Sequence, residues 1–174
     1  MRQIGLGLLV GSAVLSVWGI TWAEGGLVAR VGASGESVEL SRQANGQAEV
    51  GSLPLHRAGN VRYFSAGVGL EERSAEYPHF PLKLVFTAGG KPFLTGVSVT
   101  ITPRKGGLAL KIPQEDVDGP WLFVDLPSGT YRIVGTHGGQ EQELKEVAIE
   151  AGKQKTVYLR WREDRGLSAP LPAE

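Results

Sequence analysis

Short segments of alternating apolar and polar residues, separated by Gly or Pro, recur about every ten residues between Pro81 and Trp161. In one of them, Val97, Val99 and Ile101 alternate with serine and threonine. A period of two places alternate side chains on the buried face of a strand. No stretch shows a sustained helical period, which a doubly wound fold would need between its strands. The pattern predicts an all-β fold, an antiparallel β-sandwich of about seven strands.

The composition limits the functions open to such a fold. The 174 residues include 18 Lys plus Arg and 18 Asp plus Glu, so the formal net charge is zero. We therefore expect no nucleic-acid partner, because such binders carry a basic surface. The chain has no cysteine, which excludes disulfides, thiolate metal ligands and a lipid-modified cysteine. Stability must then come mainly from buried apolar area.

The first residues resemble an export signal. Arg2 supplies a positive start, the run from Ile4 to Ile20 is apolar and uncharged, and Thr21-Trp22-Ala23 resembles a cleavage site. We expect residues 1–23 to be removed as a signal peptide, which leaves a periplasmic or secreted protein without a membrane span. The alternative is a retained transmembrane anchor, because the apolar run is close to the lower length limit for a span.

The rest of the chain divides into three predicted parts. Residues 24–80 form an irregular N-terminal extension with short strands, where Asn45-Gly46 is a candidate hairpin turn. A short helix is expected over 70–77, because Pro78 would stop it. Residues 81–162 form the sandwich. Residues 163–174 are expected to be a flexible tail.

Two local features are predicted inside the sandwich. Gly138-Gly139 is a hairpin turn signal, because glycine tolerates positive φ. Farther along, Leu144 is out of phase with Val147 and Ile149. A one-residue slip of this kind indicates a β-bulge.

The segment Leu126-Pro127-Ser128-Gly129-Thr130-Tyr131-Arg132-Ile133 joins two predicted strands through a tight turn. It resembles carboxypeptidase regulatory-like domains, which are transthyretin-like sandwiches related in architecture to the Ig-like repeats of bacterial adhesins. The resemblance implies that Pro127 fixes φ and that Gly129 supplies a permissive backbone. It also implies that Tyr131 places its ring in the core and its hydroxyl near a backbone acceptor.

The whole chain is further similar to short exported proteobacterial proteins that carry this domain. The shared elements include one like Tyr63-Phe64-Ser65-Ala66-Gly67-Val68-Gly69 and one like Asp118-Gly119-Pro120. The domain resemblance covers about residues 80–161. It implies an accessory or adhesive module, because the catalytic zinc domain of a carboxypeptidase has no counterpart here.

Residues that could support catalysis or bind metal form no recognised pattern. The histidines, His56, His79 and His137, lack the short spacing of metal ligands. We expect no metal and no cofactor, and His137 is more simply a turn residue. The chain has no Gly-x-Ser-x-Gly elbow to present a nucleophilic serine. The acidic group lacks the ligand order of a calcium loop and is expected to be a solvated loop; its members are Glu115, Asp116 and Asp118.

Aromatic residues provide the candidate binding surface. Trp121 and Phe123 lie on one face of their predicted strand, and Tyr63 and Phe64 lie beside flexible glycines. Exposed rings at these four positions would stack on a sugar or anchor a partner. The alternative is that both faces of this central strand are covered, one of them by the N-terminal segment.

We therefore expect a non-catalytic binding module of the bacterial cell envelope, with an envelope protein or a polysaccharide as partner. One alternative is a small hydrolase or metal-dependent enzyme on a transthyretin-like scaffold, which would need histidines that converge in a pocket. Another is a purely structural envelope protein.

Overall fold

The computed structural model describes residues 26–42, 48–89 and 91–162, which form thirteen strands, one short helix and one 3-10 turn. The helix, α1, spans Leu70–Ser74, and the 3-10 turn spans Gln114–Asp116. The strands are β1 (Leu27–Val31), β2 (Ser37–Arg42), β3 (Ala48–Pro54), β4 (His56–Ala58), β5 (Val61–Ala66), β6 (Leu82–Ala88), β7 (Lys91–Pro92), β8 (Ser98–Pro103), β9 (Leu110–Ile112), β10 (Trp121–Val124), β11 (Gly129–His137), β12 (Gln140–Ile149) and β13 (Lys155–Trp161).

Two of the sheets form the predicted sandwich. The middle sheet has the order β13-β6-β10-β5-β4, with β7 paired to the end of β6, and the outer sheet has the order β12-β11-β8-β9. The all-β sandwich is therefore confirmed. Named strands in the described residues pair antiparallel apart from β6 and β13, which run parallel. The last strand, β13, thus forms one edge of the middle sheet.

The main core lies between these two sheets. Leu84, Leu122 and Leu159 of the middle sheet face Ile101 and Ile133 of the outer sheet, and each of the five is at most 1 % exposed. Burying one such side chain stabilises the fold by about 1.5–3 kcal/mol. The alternation in the sequence therefore identified the inward face of each strand.

The N-terminal residues are more regular than predicted. Strands β1, β2 and β3 form an antiparallel sheet whose apolar face packs on the far side of the middle sheet. Strand β5 belongs to the middle sheet itself, where it pairs with β10. The expectation of an irregular extension up to residue 80 is thus corrected, because the sandwich includes two strands from it, β4 and β5. The predicted turn at Asn45-Gly46 lies outside the described residues, as do residues 1–23 and 163–174.

Local predictions on β11 and β12 are confirmed. Gly138 and Gly139 form a two-residue turn at φ values of 55° and 76°. Tyr131 pairs with Val147 and Ile133 with Leu144, so β12 has one more residue than β11 between these pairs. This extra residue is the predicted β-bulge.

The Leu-Pro-Ser-Gly turn agrees with the resemblance in one respect and differs in another. The Tyr131 ring is buried, and its hydroxyl donates a hydrogen bond of 2.8 Å to the carbonyl oxygen of Pro127, as implied. Gly129 instead begins β11, paired with Ile149, and does not have positive φ. The implied permissive role of Gly129 is therefore wrong, because the chain is already extended there.

Candidate functional site

The burial of the predicted aromatic residues corrects the expected binding surface. Phe64 is 0 % exposed, Phe123 1 % and Tyr63 4 %. Phe64 and Phe123 stack with ring centroids 4.7 Å apart, beneath the N-terminal sheet. Tyr63 lies in the main core. The packing agrees with the alternative interpretation, in which the N-terminal segment covers the far face of this strand.

Trp121 remains partly exposed, because the N-terminal cover ends beside it. The ammonium of Lys83 lies 3.4 Å from the centroid of the Trp121 ring, a cation–π contact. The backbone of Gly67 is so close that a Cβ there would be 3.0 Å from the indole. Tyr77 approaches the indole edge-on at 6.3 Å. The orientation of Trp121 is thus determined by its neighbours.

Beyond the N-terminal sheet, the middle sheet carries a cross-strand row of side chains whose central member, Val85, is buried at 6 % exposure. In the register of the sheet, Tyr158 of β13 pairs with Val85 of β6, and Val85 pairs with Trp121 of β10. Directly paired residues point to the same face, so the two rings flank Val85 at a backbone separation of about 10 Å. Tyr158 is 51 % exposed. We call this surface the open face; it comprises Lys83, Val85, Thr87, Trp121, Thr156, Tyr158 and Arg160.

Two cations border the row, Lys83 on one side and Arg160 on the other. The Arg160 guanidinium lies 5.5 Å from the Tyr158 ring centroid. Within the described residues neither cation has a carboxylate at ion-pair distance, whereas Arg62 binds Asp125 at 2.7 Å. Partial burial lowers the pKa of Lys83 from its usual value. The open face therefore combines aromatic rings with positive groups that have no counter-ion among the described residues.

The histidines do not converge. His56 stacks on Tyr63 with ring centroids 5.3 Å apart, whereas His79 is exposed. His137 ends β11 immediately before the glycine turn, as predicted for a turn residue, and its Nδ1 lies 3.3 Å from the Gly96 carbonyl oxygen. In the described parts of the chain, no three His, Asp or Glu side chains are placed to hold a metal ion.

Asp116 has a structural partner that the sequence did not reveal. It accepts a hydrogen bond of 2.7 Å from the Tyr63 hydroxyl and lies 3.6 Å from Nδ1 of His56. Burial, reinforced by this hydrogen bond and the charge of Asp116, raises the pKa of Tyr63. Glu115 and Asp118 are exposed, as expected of a solvated loop. The Asp116 carboxylate thus connects the 3-10 turn to β5 through the Tyr63 hydroxyl.

The surroundings of Ser65 are not those of a nucleophilic serine. It is the one buried polar side chain among the described residues. Its oxygen accepts a hydrogen bond of 2.8 Å from the Gly119 amide, and the carbonyl oxygens of Gly119 and Trp121 lie 3.2 Å away. The hydroxyl therefore satisfies backbone groups and has no histidine beside it.

A cleft of about 300 Å³ opens at one end of the sandwich, lined in part by His137, Trp161 and Arg162. The His137 ring packs against Trp161 with centroids 6.2 Å apart. Its lining, as far as the structure describes it, includes no carboxylate and no serine. A triad of nucleophile, base and orienting acid is not assembled there.

No protein-family model matches this chain, and neither does any curated protein or solved structure. Where the structure describes the chain, its helical part is too short and too polar to span a bilayer. The open face is therefore the candidate functional site. Tyr158 and Arg160 alternate in the sequence with Val157, Leu159 and Trp161, so they lie on the opposite face of the last strand. Their position beside Lys83 follows only from the parallel pairing of β13 with β6.

Proposed function

We propose that this protein is an exported, non-catalytic binding module of the bacterial cell envelope, and that its partner binds at the open face. The observation that carries the proposal is the row Tyr158, Val85 and Trp121 with its two cations. Tyr158 is about half exposed, and its ring lies beside the Arg160 guanidinium. Exposed aromatic and cationic groups together are typical of recognition surfaces.

The export signal and the resemblance to carboxypeptidase regulatory-like domains support the same proposal. The predicted export signal favours a location outside the cytoplasm, and the resemblance implies an accessory module. The buried hydroxyl of Ser65 and the separated histidines offer no nucleophile with a base. Binding therefore agrees better than catalysis with the groups that the fold presents.

Sedimentation with isolated envelope material tests the proposal. Purified protein is mixed with envelope fragments, and the bound fraction is compared with those of Tyr158→Ala and Leu108→Ala. Leu108 is 96 % exposed and outside the open face, so it is the matched control. We expect the wild type and Leu108→Ala to sediment with the fragments and Tyr158→Ala to remain in the supernatant. Equal sedimentation of all three, or of none, would contradict the proposal.

Export is tested by the mass of the secreted protein. We expect the mature chain to begin at Glu24. Retention of residues 1–23 in protein recovered from the envelope would favour the anchor instead.

A further inference from the structure

We infer that the partner of the open face is an acidic polysaccharide, a sugar chain that carries carboxylate or phosphate groups. This inference rests on the proposed function and specifies the chemistry of its ligand. Three properties of the face lead to it: cations without a counter-ion in the described part of the chain, spaced aromatic rings on a flat support, and hydroxyl groups between them.

The cations indicate negative charge in the ligand. Most arginines for which the structure shows a polar partner bind a carboxylate, as Arg42 does with Glu71 and Arg104 with Glu146. Lys83 and Arg160 instead lie over the rings of Trp121 and Tyr158. A cation already partly stripped of water binds an anion at a lower desolvation cost. The open face can therefore bind carboxylate or phosphate oxygens through Lys83 and Arg160.

The arrangement of the rings indicates an extended ligand. Tyr158 and Trp121 lie on strands two positions apart, about 10 Å between backbones, with Val85 between them. The support is an open sheet, whereas sites for small molecules are enclosed clefts. Two clefts in the described residues lie elsewhere, one beside Trp161 and one beside Leu53 and Leu70. A polymer that lies across the sheet would contact both rings.

The groups between the rings and cations suit a sugar. Thr87 pairs with Arg160 and Thr156 with Lys83, so hydroxyl groups that donate and accept hydrogen bonds lie next to each charge. The half-exposed ring of Tyr158 offers an apolar surface to a sugar ring, whereas the Trp121 ring, against which Lys83 and Gly67 already pack, offers only its exposed part. The sugar's own hydroxyls would then meet the threonines, and its acidic groups would meet the cations.

Other macromolecules fit this face less well. Nucleic-acid binding gains its affinity from many phosphate contacts, but the chain has a formal net charge of zero. Protein interfaces are enriched in tyrosine, tryptophan and arginine but depleted of lysine, and Lys83 lies beside the central row. The large exposed aliphatic side chains, Val68, Leu70 and Leu108, lie outside the open face.

The test uses affinity electrophoresis and calorimetry of the purified chain with polygalacturonate, neutral dextran and single-stranded DNA. Lys83→Met and Arg160→Gln remove one charge each from the open face. Lys111→Met is the matched control, because Lys111 is exposed on β9 in the outer sheet. Thermal melts establish that each variant is folded.

We expect polygalacturonate to bind, dextran and DNA not to bind, and added salt to weaken the complex. Each open-face variant should bind about tenfold more weakly, and Lys111→Met should bind as the wild type does. Absence of polygalacturonate binding, equal binding of dextran, or equal binding of DNA would each overturn the inference. If envelope sedimentation still depends on Tyr158 in that case, the proposed function stands and only the ligand class is wrong. If sedimentation is lost as well, both are wrong.

Discussion

The hydroxyl oxygen of Ser65 accepts a hydrogen bond of 2.8 Å from the backbone amide of Gly119. The two residues are 54 positions apart; Ser65 lies in β5, and Gly119 lies in the segment just before β10. Gly119 is so close to β5 that a Cβ there would be 2.2 Å from the carbonyl oxygen of Ala66. The contact between these two segments therefore joins the N-terminal part of the chain to the sandwich. At Gly119 the space is too small for any side chain.

Replacement of Gly119 by alanine should destabilise the fold severely, because the backbone of β5 or the turn must move. We expect the free energy of unfolding to fall by about 3 kcal/mol or more. Gly51→Ala is the control, because a Cβ at Gly51 meets nothing within 4 Å, and it should change stability by less than about 0.5 kcal/mol. Urea unfolding measures both. Similar free energies of unfolding for the two glycine variants would show that Gly119 does not lie this close to the backbone of Ala66.

Ser65→Ala should leave the buried Gly119 amide without its acceptor. An unsatisfied buried donor costs about 1–3 kcal/mol. The control is Ser74→Ala, because the Ser74 hydroxyl is exposed and bonds to the Glu71 carbonyl oxygen of its own helix. Its loss should cost less than about 0.5 kcal/mol. If the two serine variants melt at the same temperature, the Ser65 hydrogen bond contributes nothing.

The turn before β11 should depend on Tyr131 and not on Gly129. Tyr131→Phe loses the bond to Pro127, worth about 1 kcal/mol, and Tyr131→Ala should cost about 3–5 kcal/mol by loss of the buried ring. Gly129→Ala should be tolerated, because a Cβ there would be at ordinary contact distance, 3.4 Å from the Tyr131 ring. Gly139→Ala, at φ 76°, should cost about 1 kcal/mol or more. Thermal melts in which Gly129→Ala is the more damaging of the two would contradict the extended geometry.

Stability should decline in alkaline solution through Tyr63. Its folded pKa is raised, chiefly by burial and also by Asp116, whereas an unfolded tyrosine ionises near pH 10. Above about pH 10 the unfolded chain therefore releases a proton that the folded chain retains, and the free energy of unfolding falls. Below that pH this contribution is fully present. Urea unfolding at pH 8 to 11 should show a shallower decline in Tyr63→Phe than in the wild type; parallel declines would contradict the proposed cause.

Residues 81–162 alone should not fold into the sandwich. They contain β6 and β10 but lack β5, which pairs with β10 along Tyr63 to Ala66. Phe123 would then be exposed without the ring of Phe64. We expect dispersed amide NMR signals and a cooperative melt for residues 26–162, and neither for residues 81–162. A cooperative melt of the shorter chain would show that the N-terminal strands are dispensable.

The sequence by itself determined the class of the fold and several local details. Alternation identified the inward side chains of β6, β8 and β10, because a strand places neighbouring side chains on opposite faces whatever its partners are. The Gly138-Gly139 turn and the bulge before Val147 followed from local backbone geometry in the same way. These features depend on residues a few positions apart, so the order of amino acids is sufficient to predict them.

Only the tertiary structure decided which faces are covered and which remain open. Phe64, Trp121 and Phe123 looked alike in the sequence, but the N-terminal sheet covers the two phenylalanines and ends beside Trp121. Tyr158 and Lys83, 75 positions apart in the sequence, share the open face through the parallel pairing of β13 with β6. Side-chain periodicity describes one strand at a time, whereas the order and register of strands are set by burial summed over the whole chain. A candidate site assembled from three strands is therefore visible only once those strands are in place.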